Sequence, residues 1–301
     1  MAELYIVGNG FDIYHGLKTS YADFYDFVNE NYNDLKSDLD SYFSFSDDKN
    51  NLWKDFENDL KTFGYEGFFN DYNHIDILSD TFKQSECYGV EDEITPRAEE
   101  LVQMIRDAFR DWIENIDYPP LSEIKPKKVR FVKESLFINF NYTNTLEELY
   151  GISLDNILYM HNRASDLQDL IFGHGETQEV KPKGDELDEN GDSTRTMLTE
   201  AEDAARSPFY ALYKNTDEVL ESHQPFFNRL RNIKKITVLG HSLGKVDKLY
   251  FEHITKLFPS ASWKISYHCE KEIMKSSAIE MLNLEKSKIE MIKIGDLRVA
   301  E

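Results

Sequence analysis

Short apolar runs alternating with helix-patterned stretches constrain this chain more than any other feature of its sequence. The first run, Leu4 to Val7, ends at Gly8-Asn9-Gly10. In the second half the alternation becomes regular: SLFINFNYT, the helix-like TLEELYG, ILYMHN, LIFGHG, a helical stretch from Ser207 to Arg231, KITVLGHS, a helix from Asp247 to Leu257, SWKISYH, another helix, and IEMIKIGD. Runs of about four to eight apolar, β-branched and aromatic residues between turn signals read as strands. Strands joined through helices run parallel, and a parallel sheet is buried on both faces. The expected class is α/β: a mainly parallel sheet with helices on both faces.

Between the first and second strands the pattern is helical as far as about Ile116. NNLWKDFENDLKTF puts Trp53, Phe56 and Leu60 on one helix face. Leu101, Ile105, Ala108, Trp112 and Ile116 recur at helical spacing after a Thr95 cap followed by Pro96. We read residues 18–120 as an α-helical insertion, or lid, after the first strand of a single domain covering 1–301. DYPPLSEIKPKK is a breaker-rich connection. Residues 176–206 are acidic, include KPKGDELDENGDS and show no apolar period, which predicts a mobile surface loop.

Charge narrows the partners. The formal net charge is −22, which disfavours a broad surface that tracks phosphates along a nucleic acid and favours small ligands or protein partners. MAELYIVGNGFD has neither the basic start nor the long apolar region of a signal peptide, and no run reaches membrane-spanning length. Cys87 and Cys269 stand alone, without metal-type spacing, which fits a reducing cytoplasm. These features predict a cytoplasmic protein with no membrane contact and no metal site.

Four polar turns fall where predicted strands end: Gly8-Asn9-Gly10-Phe11-Asp12, Phe140-Asn141-Tyr142-Thr143, Met160-His161-Asn162 together with Gly173-His174-Gly175, and Gly240-His241-Ser242. In an open parallel sheet such ends line the ligand crevice. The first turn is not the usual dinucleotide fingerprint, because Ile13 stands where a third glycine would fall. The last, GHSLG, has the spelling of a serine-hydrolase nucleophile elbow. That chemistry needs an acid and then a histidine from later strand ends. Glu270 is the one candidate acid, His268 precedes it and His253 lies within a helix, so an esterase using Ser242 is the minor reading.

The motifs GNGFDIYHGLKTSYADF, LWKDFENDL, FNYTNTLEELYG, HN followed by IFGHG, and GHSLGKVDKLYF resemble, in the same order and over nearly the whole chain, the AbiH family of bacterial abortive-infection proteins. One departure is His161-Asn162, where the family usually shows His-Gly. More distantly, the order is similar to a Rossmann-like, sirtuin-like NAD-binding fold. Gly8-Asn9-Gly10 looks like that fold's glycine turn, Asn141-Tyr142 like the start of its Asn-Tyr-Asp with Thr143 in place of the Asp, and His161 falls where its catalytic histidine falls. Gly240, Ser242 and Asp247 look like the late segment that holds the adenosine half.

The AbiH resemblance implies a phage-defence protein, and the sirtuin-like one that it binds NAD or a related nucleotide, with NAD as the substrate it hydrolyses on infection. His161 would be the base and Asn141 the orienter of water or ribose. Gly8, Asn9, Gly10, Phe11, Asp12, Tyr142, Gly240, His241, Ser242 and Asp247 would surround the nucleotide. Histidine suits the task because its proton affinity lies near neutrality, and asparagine because it offers both donor and acceptor. The alternative class is a non-catalytic nucleotide sensor or scaffold, acting as a homo-oligomer or with a partner protein of a defence system.

Overall fold

The computed structural model describes residues 3–45, 56–76, 78–176 and 187–298. In chain order its elements are β1 (Leu4–Val7), α1 (Asn9–His15), α2 (Tyr21–Asn31), α3 (Asn33–Tyr42), α4 (Phe56–Asp59), α5 (Tyr65–Tyr72), α6 (Glu86–Glu114), α7 (Leu121–Ile124), β2 (Leu136–Asn139), α8 (Thr145–Tyr150), β3 (Ile157–Tyr159), α9 (Thr199–Ala211), α10 (Thr216–Ser222), α11 (Gln224–Phe227), β4 (Lys235–Leu239), α12 (Lys248–Leu257), β5 (Ser262–Ser266), α13 (Lys271–Leu282) and β6 (Ile289–Ile292). They fall into two compact units. One comprises residues 1–20, 112–171 and 215–301, the other 21–111 and 172–214.

The first unit is built on a six-stranded sheet in the order β3-β2-β1-β4-β5-β6, with every pairing parallel. The chain builds outward from β1 through β2 to β3, then returns to lay β4 along the other side of β1 and builds outward again. β1 and β4 are therefore neighbours whose connections leave in opposite directions, the switch point at which doubly wound sheets leave a crevice. Residues of β1 alternate between two cores. Leu4 and Ile6 join Ile138, Val238, Trp263 and Ile265 beneath residues of α10, α11, α12 and α13, whereas Tyr5 and Val7 join Phe11 of α1, Phe137 and Leu146 of α8. All four β1 residues are buried, which is why the sequence shows an unbroken apolar run there instead of alternation.

The second unit contains α2 to α5, α9 and most of α6, around aromatic side chains. Phe24 packs on Phe56 and Phe109 with ring centroids 5.2 and 5.3 Å apart, and Phe109 stacks on Phe172 at 4.6 Å. Lys214, almost wholly buried, is ion-paired with Glu57 at 3.1 Å, and Tyr21 donates to the same carboxylate. Among the described residues, no helix is long and apolar enough to cross a membrane.

Several sequence expectations are revised. LIFGHG is not a strand of the sheet: Phe172 packs in the helical unit and His174 makes an isolated bridge to Tyr213. A short apolar run has the same composition whether it pairs or packs. Thr95 caps nothing, because α6 begins at Glu86 and carries Pro96 inside it. Cys87, Val90, Ile94, Ala98, Leu101, Ile105, Ala108 and Trp112 are buried along it, and this stripe compensates for the hydrogen bond proline removes. Residues 199–206 read as part of an acidic loop yet begin α9, where Thr199, Ala201 and Ala205 are buried, Glu200 is exposed and Glu202 and Asp203 are half-buried. Residues 21–111, within the stretch read as an insertion over 18–120, form one compact unit together with 172–214. Trp53 lies outside the described residues.

Candidate functional site

The ends of β1, β2, β3 and β4 bring the candidate residues of the first unit together. The β1 turn docks on the β4 turn through backbone: the amide of Gly8 donates to Leu239 O at 2.9 Å and that of Gly10 to Gly240 O at 2.7 Å. Gly8 is extended, with φ −129, so its need for glycine is one of space. A Cβ there would lie 2.7 Å from His241 Cα, and one at Gly10 would lie 2.8 Å from Gly240 O. Gly240 itself is left-handed, with φ +68, and a Cβ there would lie 2.0 Å from the Phe11 amide nitrogen.

The three glycines thus let two neighbouring turns touch. The Phe11 amide donates to Gly8 O at 2.8 Å, so three amides expected to cradle a nucleotide are engaged with protein carbonyls. The Asn9 side chain donates to Thr19 O and ties down the segment after α1. Phe11 is wholly buried in the core against His15, Phe131 and Tyr150, which makes it a packing residue where the resemblance implied a ligand contact.

Behind the turn sits Asp12, with no exposure. Thr143 Oγ1 donates to its Oδ2, and Thr145 Oγ1 lies 3.1 Å from that hydroxyl. Burial raises the Asp12 pKa from 3.8 to about 6, against the opposing pull of hydrogen bonding from Thr143, Thr145 and Asn141. A carboxyl in that range changes charge near physiological pH. Its Oδ1 makes no hydrogen bond among the described residues. Neither does Asn139 Nδ2, nor Oδ1 or Nδ2 of Asn141 with ordinary geometry, although Asn141 lies close enough to help hold the Asp12 charge.

Asn141 follows β2, its backbone N–H donating to Asn139 Oδ1 at 3.1 Å. The register Asn139↔Tyr159 carries β2 alongside β3, so His161 comes beside it. The flanking Phe140 and Tyr142 both contact the His161 ring, at 5.4 and 6.0 Å between centroids. The Tyr142 hydroxyl is bonded to Ile171 O at 3.2 Å. His161 Nε2 is 3.9 Å from Asp247 Oδ1, and His241 Nε2 is 3.3 Å from Asp247 Oδ2.

Ser242 is exposed, and the left-handed residues of its turn are Gly240 and Leu243. A nucleophile elbow requires the strained position at the serine itself and a helix directly after it. Here a short 3-10 turn, Lys245–Asp247, intervenes before α12. His174 belongs to the second unit and is structural. Its Nδ1 accepts from the Glu176 amide, so Nε2 carries the proton to Phe209 O, and burial lowers its pKa.

The sequence reading missed Asn139, Thr145 and Ser266, whose Oγ accepts the Gly240 amide at 2.8 Å. The signal was present in two of the three: Asn139, Asn141, Thr143 and Thr145 are polar at every second position where an apolar strand ends.

The fold and this cluster define a doubly wound, Rossmann-like α/β protein with a buried polar site at the switch point. The family profile described as Bacteriophage abortive infection AbiH matches residues 4–267, and the chain belongs to the AbiH family, a family of phage defence. Comparison with curated proteins and with solved structures gave no significant match.

Proposed function

We propose that this AbiH protein binds NAD or a closely related nucleotide beside the β1–β4 switch point and hydrolyses it to nicotinamide and ADP-ribose during infection. The observation that carries this reading is the buried amide of Asn141, with neither polar atom in a well-formed hydrogen bond among the described residues, next to Asp12 Oδ1 in the same condition. An unsatisfied buried polar group costs about 1–3 kcal/mol, and a ligand that completes the bonds is one reason a fold retains it. The order of motifs, similar to a sirtuin-like NAD fold, supplies the choice of nucleotide.

In this reading the bond from ribose C1′ to the nicotinamide nitrogen breaks and its electron pair leaves with the nicotinamide. Water oxygen bonds to C1′, and its proton passes to His161. Asn141 orients the water or the ribose, and Asp12 takes a hydrogen bond from the substrate while ionised. A second reading, a nucleotide sensor without chemistry, is favoured by one feature: the amides of Gly8, Gly10 and Phe11 are already engaged, leaving that turn fewer donors for phosphate.

NAD measured by mass spectrometry over one infection cycle decides between them. The wild type should deplete NAD, and His161→Ala and Asn141→Ala should each abolish depletion and protection, the double variant being hardly worse than either because residues acting in one step are non-additive. Constant NAD during wild-type protection overturns hydrolysis. A nucleotide thermal-shift screen then tests the sensor reading, since a ligand at a hundred times its Kd stabilises by about 2.7 kcal/mol.

A further inference from the structure

The late segment expected to hold an adenosine half also bears on the histidine. The Leu243 amide donates to His241 Nδ1 at 2.9 Å. A donated hydrogen needs a lone pair on that nitrogen, so neutral His241 carries its proton on Nε2. That nitrogen lies 3.3 Å from Asp247 Oδ2, so the proton it carries faces the carboxylate at ion-pair distance. Leu243 is held left-handed at φ +56, a conformation that costs a branched residue free energy and here aims its amide at the ring.

We propose that Asp247, fixed by His241, is the positioning carboxylate of His161. Its second oxygen, Oδ1, is 3.9 Å from His161 Nε2, beyond hydrogen-bond length and within the range of a strong charge interaction. Phe140 and Tyr142 from the end of β2 and Tyr250 from α12 also face the His161 ring, at 5.4, 6.0 and 5.6 Å. Phe140 also meets His241 at 4.6 Å, so a single phenyl ring spaces the two imidazoles.

In this arrangement neutral His161 keeps its proton on Nε2, toward Asp247. The imidazolium formed when a proton arrives is stabilised by the carboxylate. The Gly8 contact belongs to the same chain of placement, since a Cβ there would displace His241 and with it Asp247. This inference rests on the proposed hydrolysis only for the source of the proton.

The test is nitrogen-15 NMR of the full chain labelled at histidine, with His161 and His241 assigned by His→Gln variants. In the wild type both rings should carry the neutral-state proton on Nε2. Asp247→Asn keeps an oxygen for His241 and removes the charge, so the His161 titration should move to lower pH by about one unit or more, roughly tenfold in proton affinity. A wild-type His161 protonated on Nδ1, or a titration in Asp247→Asn that does not move, overturns the proposal. If Asp247→Asn fails to fold, the wild-type tautomer decides alone.

Neither NMR measurement involves NAD, so constant cellular NAD with the expected spectra sinks hydrolysis and leaves the positioning role standing. Where the wild type does hydrolyse NAD, Asp247→Asn should lower kcat more than it raises KM; an unchanged kcat also overturns the role.

Discussion

Replacing Asp12 with Asn separates the cost of burying a charge from the use made of it. The carboxyl has no exposure, and its pKa is raised from 3.8 to about 6 by burial. A raised carboxyl pKa means that the folded state holds its proton more tightly than the unfolded chain. The penalty on the folded state is therefore absent well below pH 4, grows as pH rises, and is complete above about pH 6 to 7.

Two pKa units correspond to about 3 kcal/mol at the upper plateau, and integrating from pH 4.5 to 8 leaves about 2 kcal/mol of change. Asn fits the same space, accepts from Thr143 through its oxygen and does not titrate. The stability of Asp12→Asn minus that of the wild type should accordingly increase by about 2 kcal/mol between pH 4.5 and 8, with all other titrating groups cancelling in the difference. Urea unfolding followed by tryptophan fluorescence, to which the buried Trp263 of β5 contributes, measures it at each pH. A difference that stays flat across that range refutes the reasoning, because Asp12 would then titrate alike in both states. If the charge serves the ligand, the stabilised variant should lose protection against phage.

Gly10→Ala should destabilise the protein by about 1–3 kcal/mol in the absence of any nucleotide, because the new methyl meets the backbone of Gly240. Helix propensity alone favours alanine there, so a stabilised variant would show that the two turns do not touch. Asn141→Leu, measured at pH 5 where Asp12 is mostly protonated, should raise stability by about 1 kcal/mol or more while abolishing protection; a large loss of stability would mean the amide is satisfied within the fold. The wild type should not be labelled by a fluorophosphonate probe, and Ser242→Ala should protect as well as wild type. Stoichiometric labelling at Ser242 would restore the esterase reading.

Much of the sheet unit was legible because its signals are local. The apolar runs of β1, β2, β3, β4, β5 and β6 and the helical spacing between them state their own secondary structure, and strands joined by helices leave a parallel sheet as the economical arrangement. Polar turns after four of those strands marked where a site would form, and His161, Asn141, His241 and Asp247 do converge in one unit. Local pattern failed where two outcomes share a composition. LIFGHG has strand chemistry yet pairs into no strand of the sheet, its Phe172 packing in the helical unit, and α9 begins in a stretch whose only apolar signal is alanine.

What lay beyond the sequence is the contact between distant residues. The glycines of the first turn read as ligand-approach positions, and only the β1–β4 pairing shows that the atoms they approach are those of Gly240 and His241. Asp247 read as a nucleotide residue, and only the turn after β4 shows that it also lies within ion-pair distance of two imidazoles. Spacing along a chain fixes which residues share a strand or a helix face; strand order fixes which strand ends meet, and it is set by the burial of both sheet faces at once, a property of no single segment.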